Sequence, residues 1–249
     1  DCLLTAGTVL AARHIAALAA VGLTDIPVRA RPRVAVISTG SELVTAGEVL
    51  GPGRIYNSNG PALAASAAAN GADVVSVDHC HDDPDEFATM LSYAVRVADV
   101  VFTSGGVSKG DFEVVKDTLQ PRGGRFVSVA MQPGGPQGSA VIDGVPVLTF
   151  PGNPVSALVS FEVFARPALR AAAGYPPPVT EMLPLATDLT SIAGKRQFLR
   201  GVLDGRTVRP AAGRGSHQVA GLAAADVLLD IPADTVSLEA GDLVKVLTL

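Results

Sequence analysis

Cysteine is nearly absent: Cys2 and Cys80 are the only two in 249 residues. Two isolated thiols cannot build a disulfide framework or a cysteine-based zinc site, and both read as packing residues in preference to nucleophiles. Such sparing use fits a reducing compartment, so the cytoplasm is the expected location. A basic excess is missing too. With 19 basic against 24 acidic side chains the formal net charge is −5, which argues against a non-specific grip on nucleic acid or an anionic membrane. An oxyanion or polyphosphate ligand would need local positive potential. Hydrophobic residues reach 48%, yet Arg13, Arg96 and Asp99 interrupt the apolar stretches, and no uncharged run attains the roughly 18 residues of a membrane span. Asp1-Cys2-Leu3-Leu4 offers no basic segment ahead of an apolar one, so nothing resembles a signal peptide. Internal repeats are lacking. So are two nucleotide signatures: the glycine spacing before Lys109 is wrong for a Walker loop, and no GxGxxG unit links a strand to a helix.

What is present alternates. After a helix predicted over Thr8–Val21 and ended by Gly22, short β-branched runs (Val34–Ser38, Asp73–Val77, Val100–Thr103) exchange with helical stretches (Pro61–Asn70, Pro84–Ala98). That pattern predicts βαβ units: an α/β fold with a mostly parallel sheet and helices on both faces. Asn59-Gly60-Pro61 and Asp83-Pro84 read as helix starts. A short helix to about Leu119 precedes strands at Arg125–Val129, Ser139–Ile142 and Val145–Phe150, with Asp143-Gly144 as a hairpin turn. Val155–Ala173 reads as one long apolar helix, and Tyr175-Pro176-Pro177-Pro178 as a stiff linker. Beyond it, strands at Glu181–Ala186, Gln197–Leu203, Thr207–Pro210, Val227–Ile231 and Leu243–Leu249 predict a small all-β, barrel-like domain. The expected divisions are 1–32, the remnant of a preceding domain, then 33–175 and 179–249.

Three segments fall at the carboxyl ends of predicted strands, where free backbone N–H groups meet ligands in doubly wound sheets. Ser38-Thr39-Gly40-Ser41-Glu42-Leu43 is either a ligand turn or a plain turn with a solvated glutamate. Thr103-Ser104-Gly105-Gly106-Val107-Ser108-Lys109-Gly110-Asp111 suits a phosphate cradle. Phe150-Pro151-Gly152-Asn153-Pro154-Val155-Ser156-Ala157 is a rigid turn or simply a well-formed helix start, and together with the other two it is expected to frame one crevice. Glu42, Asp82, Asp83, Asp111 and Glu113 gather near the same edge and could hold Mg²⁺ through hard oxygen ligands, or serve as caps and surface charges. His79 and His81, two apart, are expected on opposite faces of a strand and make a poor transition-metal pair. Lys195, Arg196, Arg200, Arg206, Arg209, Arg214 and His217 form either an anion-facing patch or a solvated strand face.

The motifs STGSEL, TSGGVSKGD and FPGNPVSA, in order and followed by a small β module, resemble the molybdopterin molybdenumtransferase family, MoeA and the gephyrin E domain. The resemblance implies a homodimeric, Mg²⁺-assisted transferase that inserts molybdate into adenylylated molybdopterin and releases AMP, with the molybdopterin adenylyltransferase as a partner. The alternative is a carrier or scaffold that binds the pterin without inserting metal. An adenylyltransferase or a CinA-like protein using the same α/β domain is disfavoured by the β module and the PGNPVSA turn. Carried over, Glu42, Asp83 and Glu113 are the catalytic and metal-binding carboxylates. Thr39, Gly40, Ser104, Gly105, Gly106, Val107, Ser108, Asp111, Pro151, Gly152, Asn153, Pro154, Ser156, Lys195, Arg200 and Ser216 are the residues expected around pterin and oxyanion. Departures are visible. Gln132-Pro133-Gly134-Gly135-Pro136 stands where the family has Lys-Pro-Gly-Lys-Pro, Glu113 and Ser41 each replace an aspartate, and Lys195 replaces an arginine. The family's elongated second domain has no counterpart in these residues.

Overall fold

Val34-Ala35-Val36-Ile37 is apolar at every position because the strand it builds is covered on both sides. Val34 and Val36 enter one core with Leu63, Phe102, Phe150 and Phe161, while Ala35 and Ile37 enter another with Phe87, Leu91, Val115 and Leu119. The computed structural model describes residues 2–107, 113–211 and 219–249. In chain order, α1 (Ala12–Ala20) precedes β1 (Arg33–Thr39). A pair of two-residue strands, β2 (Leu43–Val44) and β3 (Ile55–Tyr56), leads to α2 (Asn59–Ala69), β4 (Asp73–Cys80), α3 (Pro84–Val97), β5 (Val100–Ser104) and α4 (Val114–Leu119). There follow β6 (Arg125–Ser128), β7 (Met131–Gln132), β8 (Pro136–Ile142), β9 (Val145–Phe150), α5 (Pro154–Ser160) and α6 (Arg166–Ala173). The remainder is β10 (Thr180–Pro184), β11 (Leu189–Thr190), β12 (Arg196–Asp204), β13 (Thr207–Pro210), α7 (Val219–Ala223), β14 (Val227–Ile231), β15 (Ser237–Leu238) and β16 (Leu243–Thr248).

The first sheet runs β4-β1-β5-β9-β8-β6. Its first four strands are parallel, and β8 and β6 complete it antiparallel. The β8–β9 hairpin turns at Asp143 and Gly144, both at positive φ (51° and 83°), as a two-residue type I′ turn requires. The second sheet, β10-β16-β14-β12-β13, is antiparallel. A bridge from Leu185 to Val208 joins its two edges, which gives the expected barrel-like closure. Among the described residues no helix is long and apolar enough to cross a membrane.

Three expectations are corrected. The first helix starts at Ala12 instead of Thr8, because Ala11 is extended (φ −122°, ψ 169°) and gives its N–H to His14 Nδ1. The long apolar helix is interrupted by a π-helical turn at Phe161–Ala165 ahead of α6. Pro167 there has no N–H for the carbonyl of Val163, so the regular ladder cannot continue. Side chains two apart along a strand share a face, and His81, just past the end of β4 at Cys80, carries its ring 5.3 Å from that of His79 and not on the opposite face. One strand has no counterpart among the expected ones: β7 leaves the α/β layer and pairs in parallel with β12 of the second sheet. Met131 thereby packs with Val155, Val159, Phe198 and Leu228 in a cluster shared by both halves of the chain.

Candidate functional site

Parallel register brings the ends of β1, β5 and β9 level: Ser38 lies beside Ser104, and Ser104 beside Phe150. The turns that leave these strands therefore meet. Gly105 donates its N–H to the Phe150 carbonyl at 3.1 Å, and Thr39 Oγ1 donates to the Ser104 carbonyl at 3.3 Å. A Cβ added to Gly105 (φ +93°) would stand 2.4 Å from the Thr39 carbonyl oxygen. One added to Gly152 would stand 3.5 Å from the α carbon of Gly105. Only glycine fits the middle position, by both contact and backbone angle. The three turns predicted from separate motifs thus form one contiguous edge carrying Thr39, Gly40, Ser104, Gly105, Gly106, Val107, Pro151, Gly152, Asn153 and Pro154. Ser156 is buried in the first turn of α5. Ser108, Lys109, Asp111, Arg214, Ser216 and His217 lie outside the described residues.

Asn59, which the motifs mark only as part of a helix start, adjoins the third turn. It begins α2, is buried, and donates its Nδ2–H to the Gly152 carbonyl at 2.8 Å, tying α2 to the third turn. Asn57 Oδ1 receives the Gly60 N–H at 3.1 Å, so the capping role falls to Asn57. Among the described residues, Asn59 Oδ1, Ser38 Oγ and Ser104 Oγ are buried without a hydrogen-bond partner. Such atoms cost about 1–3 kcal/mol each. A group of them beside three turns is what a polar ligand or bound water would satisfy.

The carboxylates do different things. Asp83 caps α3, its Oδ1 accepting from the N–H groups of Asp85 and Glu86 at 2.9 and 3.0 Å. Glu113 pairs with the Lys116 ammonium. Exposed Glu42 folds back over Gly40, whose added Cβ would stand 2.6 Å from Glu42 Oε2. Among the described residues no three His, Cys, Asp or Glu side chains stand together as ligands for a metal ion. Glu42, Asp83 and Glu113 therefore do not form one cage fitting Mg²⁺.

A second feature lies where the halves join. A cleft of about 80 Å³ is lined by Gln132, Pro133, Val155, Gln197, Phe198 and Arg200 among others. Arg200 is 5% exposed, and burial pulls its guanidinium below the ordinary value. Val155 belongs to the first turn of α5, so this cleft is only a few residues from the third turn. Gln132 Oε1 accepts from Gln197 Nε2 at 2.6 Å, and Gln197 Oε1 accepts from Ser191 Oγ at 2.8 Å. An amide chain thus stands where the resemblance places an ammonium. Lys195 is exposed and does not line the cleft, and Arg196 is engaged with Asp230 through two contacts of 2.6 Å.

Comparison with known proteins agrees with this layout. Residues 35–171 match the family described as "Probable molybdopterin binding domain". Residues 182–249 match "MoeA C-terminal region (domain IV)". The chain is 49% identical over 239 residues to molybdopterin molybdenumtransferase 2 of Mycobacterium tuberculosis, covering 92% of this chain and 59% of the relative. It is 36% identical over 260 residues to molybdopterin molybdenumtransferase 1 of the same organism, covering 99% and 61%. Among solved structures, a molybdopterin biosynthesis MoeA protein from Pyrococcus horikosii superposes with a TM-score of 0.85 at 34% identity, over 99% of this chain and 61% of that one. The chain spans about three fifths of the length of these relatives. With both domain types matched in order and the three motif turns meeting at one sheet edge, the chain belongs to the MoeA family of molybdopterin-binding proteins.

Proposed function

We propose that the protein containing this chain inserts molybdate into adenylylated molybdopterin with release of AMP. The observation that carries the reading is the direct contact of the three small-residue turns, Gly105 being lodged between Thr39 and Gly152. Backbone N–H groups of such turns suit a phosphate, and the unpaired Ser38, Ser104 and Asn59 atoms suit the polar edge of a pterin. The chain's contribution would be positioning: a ligand held by rigid glycine turns loses its orientational freedom before reaction. Arg200 in the adjoining cleft would offer a buried positive charge to an oxyanion. Magnesium is implied by the family, but it finds no three-ligand cage among the described residues, and no step here depends on it. Cytoplasmic location, a homodimeric assembly and supply of substrate by the adenylyltransferase belong to the same proposal. Sedimentation of the full-length protein tests the assembly.

A second reading, a pterin carrier or scaffold, is favoured by Gln132, whose amide is already engaged by Gln197. Incubating the full-length protein with adenylylated molybdopterin, Mg²⁺ and molybdate separates the two. AMP release with metal uptake is the expected result. Tight pterin binding with neither would favour the carrier.

A further inference from the structure

Motif matching assigns Asp83 a place beside Glu42, yet the hydrogen bonds give that place to its neighbour. Asp83 is spent on the α3 cap. Asp82 reaches across to the first turn: its Oδ2 accepts the Ser41 N–H at 2.8 Å, and its own N–H is donated to Ser41 Oγ at 3.0 Å. Two further bonds fasten the preceding residue to the same strand end. Gly40 donates its N–H to the Cys80 carbonyl at 3.1 Å, and His79 Nε2–H donates to the Gly40 carbonyl at 3.0 Å. The far side of the turn is held as well, by the Leu43 N–H on the Gly40 carbonyl at 3.1 Å and the Ile55 N–H on the Glu42 carbonyl at 2.9 Å. Glu42 is exposed, has three rotatable side-chain bonds and is still folded over Gly40. Its backbone is held by its own carbonyl on the Ile55 N–H and by the anchoring of its neighbours Ser41 and Gly40.

We propose that Asp82, with His79, is a positioning residue that latches the turn after β1 to the end of β4 and so sets the Glu42 carboxylate at the pterin edge. The inference rests on the functional reading above. It assigns Asp82 the role of a hydrogen-bond acceptor, for which a neutral acceptor oxygen would also serve. Ser41 fits the arrangement: its hydroxyl takes the Asp82 N–H without bringing a second carboxylate against Asp82.

The test uses the full-length protein and three substitutions, Asp82→Ala, Asp82→Asn and Ser41→Ala. Hydrogen exchange of the Ser41 amide, pterin affinity and AMP release are each measured. Asp82→Ala is expected to speed Ser41 exchange about tenfold, to lower kcat roughly 10- to 100-fold, and to leave pterin affinity within about twofold. Asp82→Asn, which keeps an acceptor oxygen, is expected to recover most of the loss. Ser41→Ala, which removes only the reciprocal acceptor, is expected to show a milder form of both effects, and it carries the test if Asp82→Ala does not fold. Unchanged kcat in Asp82→Ala despite faster exchange overturns the positioning role. Equal impairment in Asp82→Asn overturns it too, because charge would then be what matters. If the parent neither binds pterin nor releases AMP, the functional reading has failed. The latch is then judged on exchange alone, where an unchanged Ser41 amide in Asp82→Ala overturns it.

Discussion

Burial drives the Cys80 thiol up to about 12, with Glu86 and Asp83 nearby adding to the effect, while Cys2 is exposed. The native protein is expected to be alkylated at Cys2 and spared at Cys80 at pH 8, as peptide mass mapping would report. Modification of Cys80 at the same rate would contradict its burial. The sign for stability follows: the folded state keeps the Cys80 proton, so that contribution is whole below pH 9 and is lost as pH rises toward 12. Asp83 has a measurable role independent of chemistry. Asp83→Ala is expected to cost about 1 kcal/mol through the lost cap and Asp83→Ser to restore most of it, read from urea midpoints. The cap could be read from the chain, since an aspartate before a proline caps; Cys80 packs as expected although histidines flank it, whereas Cys2, expected to pack as well, is exposed. Asn59 could not be read in full. Its partner, the Gly152 carbonyl, is remote in sequence, and only the helix-start half of its role was visible.

Gly105 and Gly123 share a positive φ, 93° and 88°, but an added Cβ at Gly123 meets nothing within 4 Å. Gly123→Ala is therefore expected to cost about 1 kcal/mol for backbone conformation alone. Gly105→Ala meets the Thr39 carbonyl as well, so it should be clearly more destabilising in denaturant and should abolish pterin binding in a fluorescence titration. Equal behaviour of the two variants would mean that the turns do not touch in solution. The longer strands were legible within about three residues, β4 and β8 being the least exact, since period-two and all-apolar runs report how many faces a strand buries, whereas the two-residue strands β2, β3, β7, β11 and β15 are too short to show a period. β9, β13 and β14 fall where the residue pattern puts them. The break in the long helix was harder to see, although Pro167 carried the signal. An apolar stripe masks a proline when its neighbours keep helical spacing.

Across the molecule, the cluster of Met131, Val155, Val159, Phe198 and Leu228 makes the two sheets depend on one another. Met131→Ala is expected to cost about 2–5 kcal/mol and to lower the unfolding midpoint seen by circular dichroism in both layers at once. Replacing Gln132 and Gly135 together by lysine is expected to strengthen molybdate binding, measured by calorimetry. Gly135 has room, its added Cβ meeting nothing closer than 3.5 Å, whereas Gln132 must give up Gln197. An unchanged affinity would show that neither position faces the anion. The layer order, the barrel-like module, the hairpin at Asp143-Gly144 and the three motif turns were all readable from the order of residues. Each depends on a backbone preference or on a periodicity among near neighbours. The linker at 175–178 predicts a domain boundary, and the pairing of β7 with β12 across it left no signal in the sequence. That the three turns frame one crevice followed from their places at strand ends, but which of their atoms touch, which aspartate reaches Ser41 and that Gln132 meets Gln197 in the cleft were settled by strand register and by the pairing of β7 with β12. Contacts between residues far apart in the chain leave no local period to read.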